Sequence, residues 1–413
     1  MAVILRSNAD LMYLPDHGFA GEEGALRILP QITRTIRRID ISHNLLGSAG
    51  TLTLFKGLTT LRSRYSSPEI GLGIWGLSEL NLGVNSLDDA ALDGVLAYAK
   101  KDGFLQRVFV QGNDIRFLEG LESIVNSLNS SRIRSLSLTN NTSLDPGGVG
   151  KFLHKLDSTH LSQLHLSACE LPNSVTGGIC EYLRSDRSRN LEVLELNGNK
   201  LGAKGVERIV DVIESSNFSL RVVGLLANTS LEPAIVSLDD GNVDVSEHQA
   251  AVDMDVELRS LEYQVHTRLP SLLERNRILT RRVRTAASKI ITPARIILNA
   301  RIPSDQETAQ RVINEISSTS SPPTSFFPLL DLPEEVIHLI VRNVGGDDGA
   351  LSEAQWTRLR VEAGDREALA RNMRMREERM RGKRREEERD VIRGLRDDWL
   401  KRGRWDRWEE RSR

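Results

Sequence analysis

The sequence predicts an α/β protein in which short strands alternate with helices, followed by an all-α C-terminal region. Three observations carry this prediction: an apolar motif recurs through the first half of the chain, an apolar stripe at helical spacing follows it, and the repeats stop after Asn228. The motif reads L-x-x-L-x-L-x-x-N/C, and its alternation is typical of a half-buried strand. With 413 residues, 39% of them hydrophobic, the chain can form more than one structural unit.

Seven copies of the motif can be read, and their last positions are Asn44, Asn85, Asn113, Asn141, Cys169, Asn199 and Asn228. The intervals between these positions are 41, 28, 28, 28, 30 and 29 residues. A period of 28 or 29 leaves room for a full helix after each strand, because a strand and its turn need only part of it. The long first interval predicts an inserted loop from Arg62 to Trp75. A degenerate copy before the first regular one predicts a strand at Leu11-Met12-Tyr13.

The last position of each motif is expected to have a structural role. An asparagine amide there can bond backbone groups of the tight turn that leaves the strand, which would otherwise be buried without partners. Cys169 stands at this position in one repeat, where we interpret it as a structural residue rather than a redox centre. Cys180 falls in the next predicted helix and is expected in the core.

The repeats resemble a known class. The period, the Asn-x-Leu-Gly-x-x-Gly sequence that begins at Asn199 and the strand–helix units are similar to ribonuclease-inhibitor-like leucine-rich repeats, over roughly residues 10–233. The resemblance implies a leucine-rich-repeat solenoid in 1–233, curved, with a parallel sheet on the concave face and helices on the convex face. Members of this class clasp other proteins, and they include activators of the small GTPase Ran.

Within each motif, alternation places the leucines in the core and the residues between them on the concave face. The predicted partner-binding residues are Arg38, Asp40, Glu79, Asn81, Arg107, Phe109, Gln111, Gln163, His165, Glu195 and Asn197. Mixed polarity with one outward aromatic residue is typical of a selective protein interface, so Phe109 is the predicted anchor.

Composition and motifs narrow the function classes. The net charge of −2 argues neither for nucleic acid nor for a membrane surface, so we expect neither as a partner. Two cysteines and the lack of a long apolar stretch favour a cytoplasmic or nuclear protein without disulfides. The sequence holds no phosphate-binding loop, no paired metal-binding histidines and no nucleophile elbow, so we expect a non-enzymatic protein without a cofactor or metal.

The chain changes character after the repeats. Residues 234–258 are acidic and predict a solvated loop, and 259–316 predict a helical cap. From Arg275 to Arg301 the segment has eight cations and no acid on an apolar stripe. It would either cover the end of the repeats or present a surface to acidic partners such as nucleic acid or anionic lipid, and the first is favoured. Thr292-Pro293 predicts the start of a new helix.

The last part of the chain divides into three further segments. Residues 317–328 form a Ser/Pro linker, and 371–413 form a charged helical tail whose tryptophans sit at a frayed end. Between them, 329–370 predicts a small helical module that resembles the opening helix of an F-box. The matching positions are Leu332, Pro333, Glu335, Val336 and Ile340. The match ends at the glycines that follow Val344.

The leading functional hypothesis is a protein-interaction scaffold that binds a partner protein of unknown identity through the repeat surface. One alternative is a GTPase activator similar to the Ran activators, with a small GTPase as partner. The other is substrate recognition for a ubiquitin ligase, in which the F-box-like segment binds a Skp1-type adaptor.

Overall fold

The computed structural model describes residues 10–66, 75–229, 255–300, 332–347, 349–381 and 385–409. The chain divides into two compact units, Met1–Glu274 and Arg275–Arg413. The strands are β1 (Leu11–Tyr13), β2 (Arg38–Asp40), β3 (Glu79–Asn81), β4 (Arg107–Phe109), β5 (Ser135–Ser137), β6 (Gln163–His165), β7 (Val193–Glu195) and β8 (Val222–Gly224). The helices between them are α1 (Gly21–Ile28), α2 (Gly47–Tyr65), α3 (Asp89–Lys101), α4 (Leu121–Ser130), α5 (Pro146–Lys155), α6 (Thr176–Arg184) and α7 (Gly202–Ser215).

Short helical turns lie among these elements, and further helices follow the sheet. Short 3-10 turns cover Leu29–Gln31, Asn173–Val175 and Asp186–Ser188. After the sheet, a helix over 255–262 continues through a π-helical turn, Tyr263–Arg268, into α8 (Leu269–Ala300). The remaining helices are α9 (Glu334–Asn343), α10 (Glu353–Gly364), α11 (Arg366–Met380) and α12 (Arg385–Arg402).

The eight strands form one parallel sheet whose strand order follows the chain from β1 to β8. Helices connect successive strands, as parallel pairing requires. The predicted α/β alternation, the all-α C-terminal region and the strand predicted at Leu11-Met12-Tyr13 are therefore confirmed.

The core of the first unit forms because one residue in each short strand and one stripe of each helix are apolar. The middle strand residues are all buried: Met12, Ile39, Leu80, Val108, Leu136, Leu164, Leu194 and Val223. Helix starts are specified locally, since the Asp88 carboxylate caps α3 and Asp145 caps α5 ahead of Pro146.

The structure differs from the loop predicted from Arg62 to Trp75 at both ends of that segment. Helix α2 continues to Tyr65, so 62–65 are helical, and 67–74 lie outside the described residues. The Trp75 side chain is fully buried, and its Nε1 donates to the Ile36 carbonyl oxygen at 3.1 Å. The inserted segment therefore ends at a residue of the core, Trp75. Its large apolar ring is stable in the interior because its one polar atom has a hydrogen-bond partner.

A ladder of asparagine amides connects the turns that follow the strands. Asn113 Nδ2 donates to the Val110 carbonyl in its own turn at 2.9 Å and to Leu82 of the preceding repeat at 3.2 Å. Its Oδ1 accepts the N–H groups of Asn85 and Leu87 at 2.9 and 3.0 Å. The predicted structural role of these asparagines is confirmed, since each one satisfies buried backbone groups of two repeats.

Cys169 takes the place of an asparagine in this ladder and makes weaker hydrogen bonds there. Its Sγ lies 3.2 Å from the Leu138 carbonyl oxygen, and burial raises the pKa of the thiol to about 11. We expect Cys169→Asn to raise the free energy of unfolding by about 1 kcal/mol, because an amide is a stronger donor and adds an acceptor for the Asn141 N–H. Urea unfolding measures this. The reciprocal change Asn141→Cys should lower stability, and a destabilised Cys169→Asn would contradict the assignment.

The residue before each motif-ending Asn or Cys has a left-handed backbone conformation, and Val84 is the β-branched residue at one of these positions. Val84 has φ +55° and Gly198 has φ +68° at equivalent places. A β-branched residue is strained there. We expect Val84→Asn to raise the free energy of unfolding by about 1 kcal/mol and Gly198→Val to lower it by a similar amount. Thermal melting measures both changes, and a loss of stability in Val84→Asn would show that no strain is relieved.

Two buried carboxylates hold loops of the first unit. Asp89 accepts four backbone N–H groups of the segment that leads into α4, from Arg116 at 2.8 Å to Glu119 at 3.1 Å. Asp102 accepts the Leu77 and Phe104 N–H groups at 3.0 and 2.9 Å. It also accepts the Tyr98 hydroxyl at 2.9 Å, which together with burial raises the pKa of Tyr98.

The predicted helical cap, 259–316, contributes to both compact units. Four leucines of its first part belong to the core of the first unit: Leu261, Leu269, Leu272 and Leu273. Arg268 adds an ion pair to Asp211 of α7 at 2.8 Å. Residues 283–294 instead form one side of a second core. The acidic loop predicted at 234–258 lies outside the described residues up to 254, and over 255–258 the prediction is wrong because these residues are helical. The linker at 317–328 lies outside the described residues entirely.

The second unit is built around the apolar stripe of α8. Val283, Ile290 and Ala294 pack in one cluster with Ile337, Val341, Trp356, Leu359, Leu400 and Trp405. Three cations of α8 pair with acids of the same unit: Arg282 with Asp347, Arg284 with Asp397 and Arg295 with Glu362. Part of the basic side of this helix is therefore engaged within the second unit.

Two expectations about the second unit are wrong. Pro293 lies inside α8 rather than starting a helix, because Ile290, Ile291 and Ala294 on either side of it are held in the core. The tail does not fray at Trp405, whose side chain is 2% exposed and donates through Nε1 to the Gln355 carbonyl at 3.0 Å. Gln355 Nε2 in turn donates to the Arg404 and Arg407 carbonyls, which fixes the turn after α12.

Candidate partner-binding surface

The eleven predicted binding residues stand in three rows across one face of the sheet. Strand register aligns Arg38, Glu79, Arg107 and Gln163 in the first row and Asp40, Asn81, Phe109, His165 and Glu195 in the second. Gln111 and Asn197 lie two residues beyond their second-row neighbours, and the backbone ladder continues through them. Because each row alternates with the buried middle residues, all eleven share the face opposite the core, which we call the polar face.

The charges of the first row alternate in sign. Asp10 pairs with Arg38 at 2.9 Å, and Arg107 Nε donates to Glu79 at 2.9 Å. The hydrogen bond from Arg38 lowers the pKa of Asp10, and the same bond raises the pKa of Arg38. The N-terminal part of the polar face is thus nearly neutral as a whole, and a partner would meet paired charges rather than a single-sign field.

Side chains of the second and third rows brace one another. Asn81 Nδ2 donates to Asp40 at 3.1 Å, and Asn81 Oδ1 accepts Gln111 Nε2 at 3.1 Å. Asp40 also accepts the Ser42 hydroxyl at 2.7 Å. These contacts hold the polar side chains in one arrangement, which reduces the entropy lost when a partner binds them.

The polar face has a shallow trough at β5. Ser135 and Ser137 are only 4% and 7% exposed, although they belong to the first and second rows. Larger side chains stand on both sides, since Arg107 and Phe109 precede them in the rows and Gln163 and His165 follow. Short hydroxyl side chains between tall neighbours give the middle of the face a concave profile.

The polar face ends with a second braced group at β7 and β8. Asn197 Nδ2 donates to Glu195 at 2.8 Å, and Asn197 Oδ1 accepts the Leu226 N–H at 2.9 Å. A Cβ on Gly224 would overlap the Glu195 carboxylate at 1.8 Å, so this carboxylate lies over β8. Val222 and Leu226 beside it are 40% and 50% exposed.

The sequence interpretation missed two residues of this face. Tyr13 is 65% exposed and continues the second row, next to Asp40. Asp10 completes the charge row through Arg38. The strand at 11–13 was predicted, so applying the same alternation to this degenerate repeat would have found Tyr13.

His165 is the polar-face residue whose titration is expected to show in stability. Burial lowers its pKa below the usual 6.5, despite the nearby Glu195 charge. The unfolded chain then binds a proton more readily, so His165 makes stability fall as pH drops below about 6.5 and has no effect above it. We expect His165→Gln to flatten the loss of melting temperature between neutral and mildly acidic pH. The same dependence of melting temperature on pH in the wild-type protein and in His165→Gln would contradict this prediction.

The F-box-like residues occupy α9 and the residues just before it. Leu332 is partly buried against the second core, whereas Pro333 and Glu335 are exposed. Val336 is 38% exposed and Ile340 is intermediate, because the helix turns Ile337 and Val341 into the core instead. Leu339 is 60% exposed and lies on the outer side of the same helix.

Across the described ranges, no group of three His, Cys, Asp or Glu side chains is placed to hold a metal ion. Among the helices in those ranges, none is both long and apolar enough to cross a membrane. Comparison of the chain with protein-family models and with curated proteins finds no match.

Proposed function

We propose that the first unit is a leucine-rich-repeat solenoid of the ribonuclease-inhibitor type that binds a partner protein through the polar face. The observation that carries the proposal is the alignment of eleven side chains from five strands in rows between β2 and β7, among them one half-exposed aromatic ring, Phe109. The bracing of Asp40, Asn81 and Gln111 supports it, since a rigid mixed-polarity surface favours selective binding. This role needs no catalytic group or cofactor.

Site-specific cross-linking in the full chain tests the proposal. A photoreactive phenylalanine analogue replaces Phe109 in one protein and Lys151, on α5, in the matched control. Irradiation in an extract of the source cells should give a discrete adduct from position 109 and not from 151. Once the adduct is identified, Phe109→Ala should weaken binding of the purified partner by about 30-fold, as expected for an interface anchor. Equal adducts at both positions, or none at 109, would reject the polar face.

A second candidate function rests on α9. Exposed Val336 and Leu339 on a helix that follows Pro333 are compatible with an F-box-like contact to a Skp1-type adaptor. Titration calorimetry with the purified adaptor should then show binding that Leu339→Asp abolishes, and no heat with the wild-type chain would exclude it. GTPase activation remains an alternative on the resemblance alone, and a GTP hydrolysis assay with Ran tests it.

A further inference from the structure

The edge of the sheet at which the strands begin carries a group of cations. Backbone hydrogen bonds extend the ladder one residue before the strands, through Arg37, Ser78, Gln106 and Arg134. Lys100 and Lys101 lie at the C-terminal end of α3, and Arg62 lies at the end of α2. Helix ends and strand starts meet at this edge because each helix runs back to the start of the next strand.

Several of these residues lie close to one another along the edge. Arg37 donates to the Gly76 carbonyl at 3.0 Å, and a Cβ on Gly76 would stand 2.7 Å from the Phe104 ring. Arg62 donates to the Lys101 carbonyl. The Arg132 Nε lies 3.9 Å from a Cβ built on Gly103. We call this surface the basic edge: Arg37, Arg62, Lys100, Lys101, Phe104, Arg132 and Arg134.

Among the described residues, no acid forms an ion pair with the cations of the basic edge. Residues 67–74 are not among the described residues. Asp102, which follows Lys101, is 0% exposed and accepts the Leu77 and Phe104 N–H groups and the Tyr98 hydroxyl. Lys100, Lys101, Arg132 and Arg134 are all exposed.

Helix dipoles explain only part of this surface. Cations in the last turns of α2 and α3 are stabilised by the carbonyl ends of those helices. Arg132 and Arg134 follow the end of α4 and precede β5, where that effect has fallen off. The helix dipoles also do not account for an exposed aromatic ring, yet Phe104 is 44% exposed in the middle of the basic edge.

We propose that the basic edge binds an acidic segment of a partner protein, with an apolar residue of that segment on Phe104. From β2 to β5 the edge spans about 14 Å, which an extended peptide of about four or five residues covers. Acidic side chains complement the cations, and the ring supplies an anchor. Nucleic acid is disfavoured because the sequence pI is 6.5, whereas nucleic-acid-binding domains are usually strongly basic.

Fluorescence anisotropy with the full chain at low salt tests the proposal. The probes are a labelled peptide of alternating Glu and Gly with one central Leu, the same peptide with Gln for Glu, and labelled single-stranded oligo-dT. The edge variant combines Lys100→Glu, Lys101→Glu, Arg132→Glu and Arg134→Glu. The control variant makes the same change in net charge with Lys56→Glu, Lys151→Glu, Lys204→Glu and Arg208→Glu, all exposed cations on the helices.

The acidic peptide should bind the wild-type chain, and added salt should weaken that binding. The edge variant should lose about tenfold or more in affinity and the control variant less than about twofold. Phe104→Ala should weaken binding of the acidic peptide and leave unchanged the binding of a fourth probe, the same Glu/Gly peptide with Gly in place of its central Leu. Equal losses in both combined variants, tighter binding of the Gln peptide, or tighter binding of oligo-dT would each overturn the proposal. Circular dichroism verifies that each variant is folded.

Discussion

Asp89→Ala lowers the free energy of unfolding by about 3 kcal/mol or more, the expected cost of leaving several backbone donors without a charged acceptor. The two carboxylate oxygens accept the N–H groups of Arg116, Phe117, Leu118 and Glu119. Asp89 is 6% exposed, so water cannot easily replace the lost acceptor. Equilibrium urea unfolding, followed by circular dichroism, measures the change.

Two variants separate this effect from a general loss of charge. Asp89→Asn keeps one acceptor oxygen and should fall between wild type and Asp89→Ala. Asp114→Ala removes an exposed carboxylate nearby and should change stability by less than about 0.5 kcal/mol. If Asp89→Ala were no more harmful than Asp114→Ala, the four backbone contacts would not be holding the loop.

Trp405→Ala should destabilise the second unit by about 3 to 5 kcal/mol, the usual cost of removing a buried large aromatic side chain. The ring packs against Trp399 with centroids 4.5 Å apart, and its Nε1 bonds the Gln355 carbonyl of α10. Its loss would leave a cavity and remove the Nε1 hydrogen bond to the Gln355 carbonyl. Hydrogen exchange with mass spectrometry should show faster exchange in α10 and α12.

The exchange pattern also provides the control for this prediction. Trp405→Phe keeps an aromatic ring but loses the Nε1 bond and part of the buried volume, so α10 and α12 should exchange at intermediate rates. Peptides that cover β3 to β6 should be unchanged in both variants, since Trp405 belongs to the second core. Unchanged exchange in α10 after Trp405→Ala would show that the turn after α12 does not stabilise this unit.

The periodic part of the fold could be predicted because its signals are local. Alternation around Ile39 or Leu80 is readable within nine residues, and the Nδ2 of Asn44 and of Asn85 donates in both cases to the carbonyl three residues earlier. The same alternation placed Arg107 and Phe109 on one face. Spacing alone could not show that Asp40, Asn81 and Gln111 would bond one another, since these contacts depend on side-chain conformation.

Other features were unpredictable because their cause is distant in sequence. Asp89 and Asp102 look like ordinary surface acids until the folded chain brings backbone donors from other loops to them. Thr292-Pro293 has the local form of a helix start, yet packing within the second core carries the helix through it. Trp405 reads as part of a charged tail, and only the partner 50 positions earlier, Gln355, shows that it is internal.

The asparagine ladder also bears on how such a chain can grow. Asn85 and Asn113 are joined by the same contact as Asn113 and Asn141, and in both cases the partners are 28 residues apart. Excising or duplicating one such stretch would bring identical amides and carbonyls together at the new junction. The number of repeats can therefore change in evolution by the gain or loss of whole repeats. Such a change needs no new type of contact between repeats and leaves the ends of the sheet as they are.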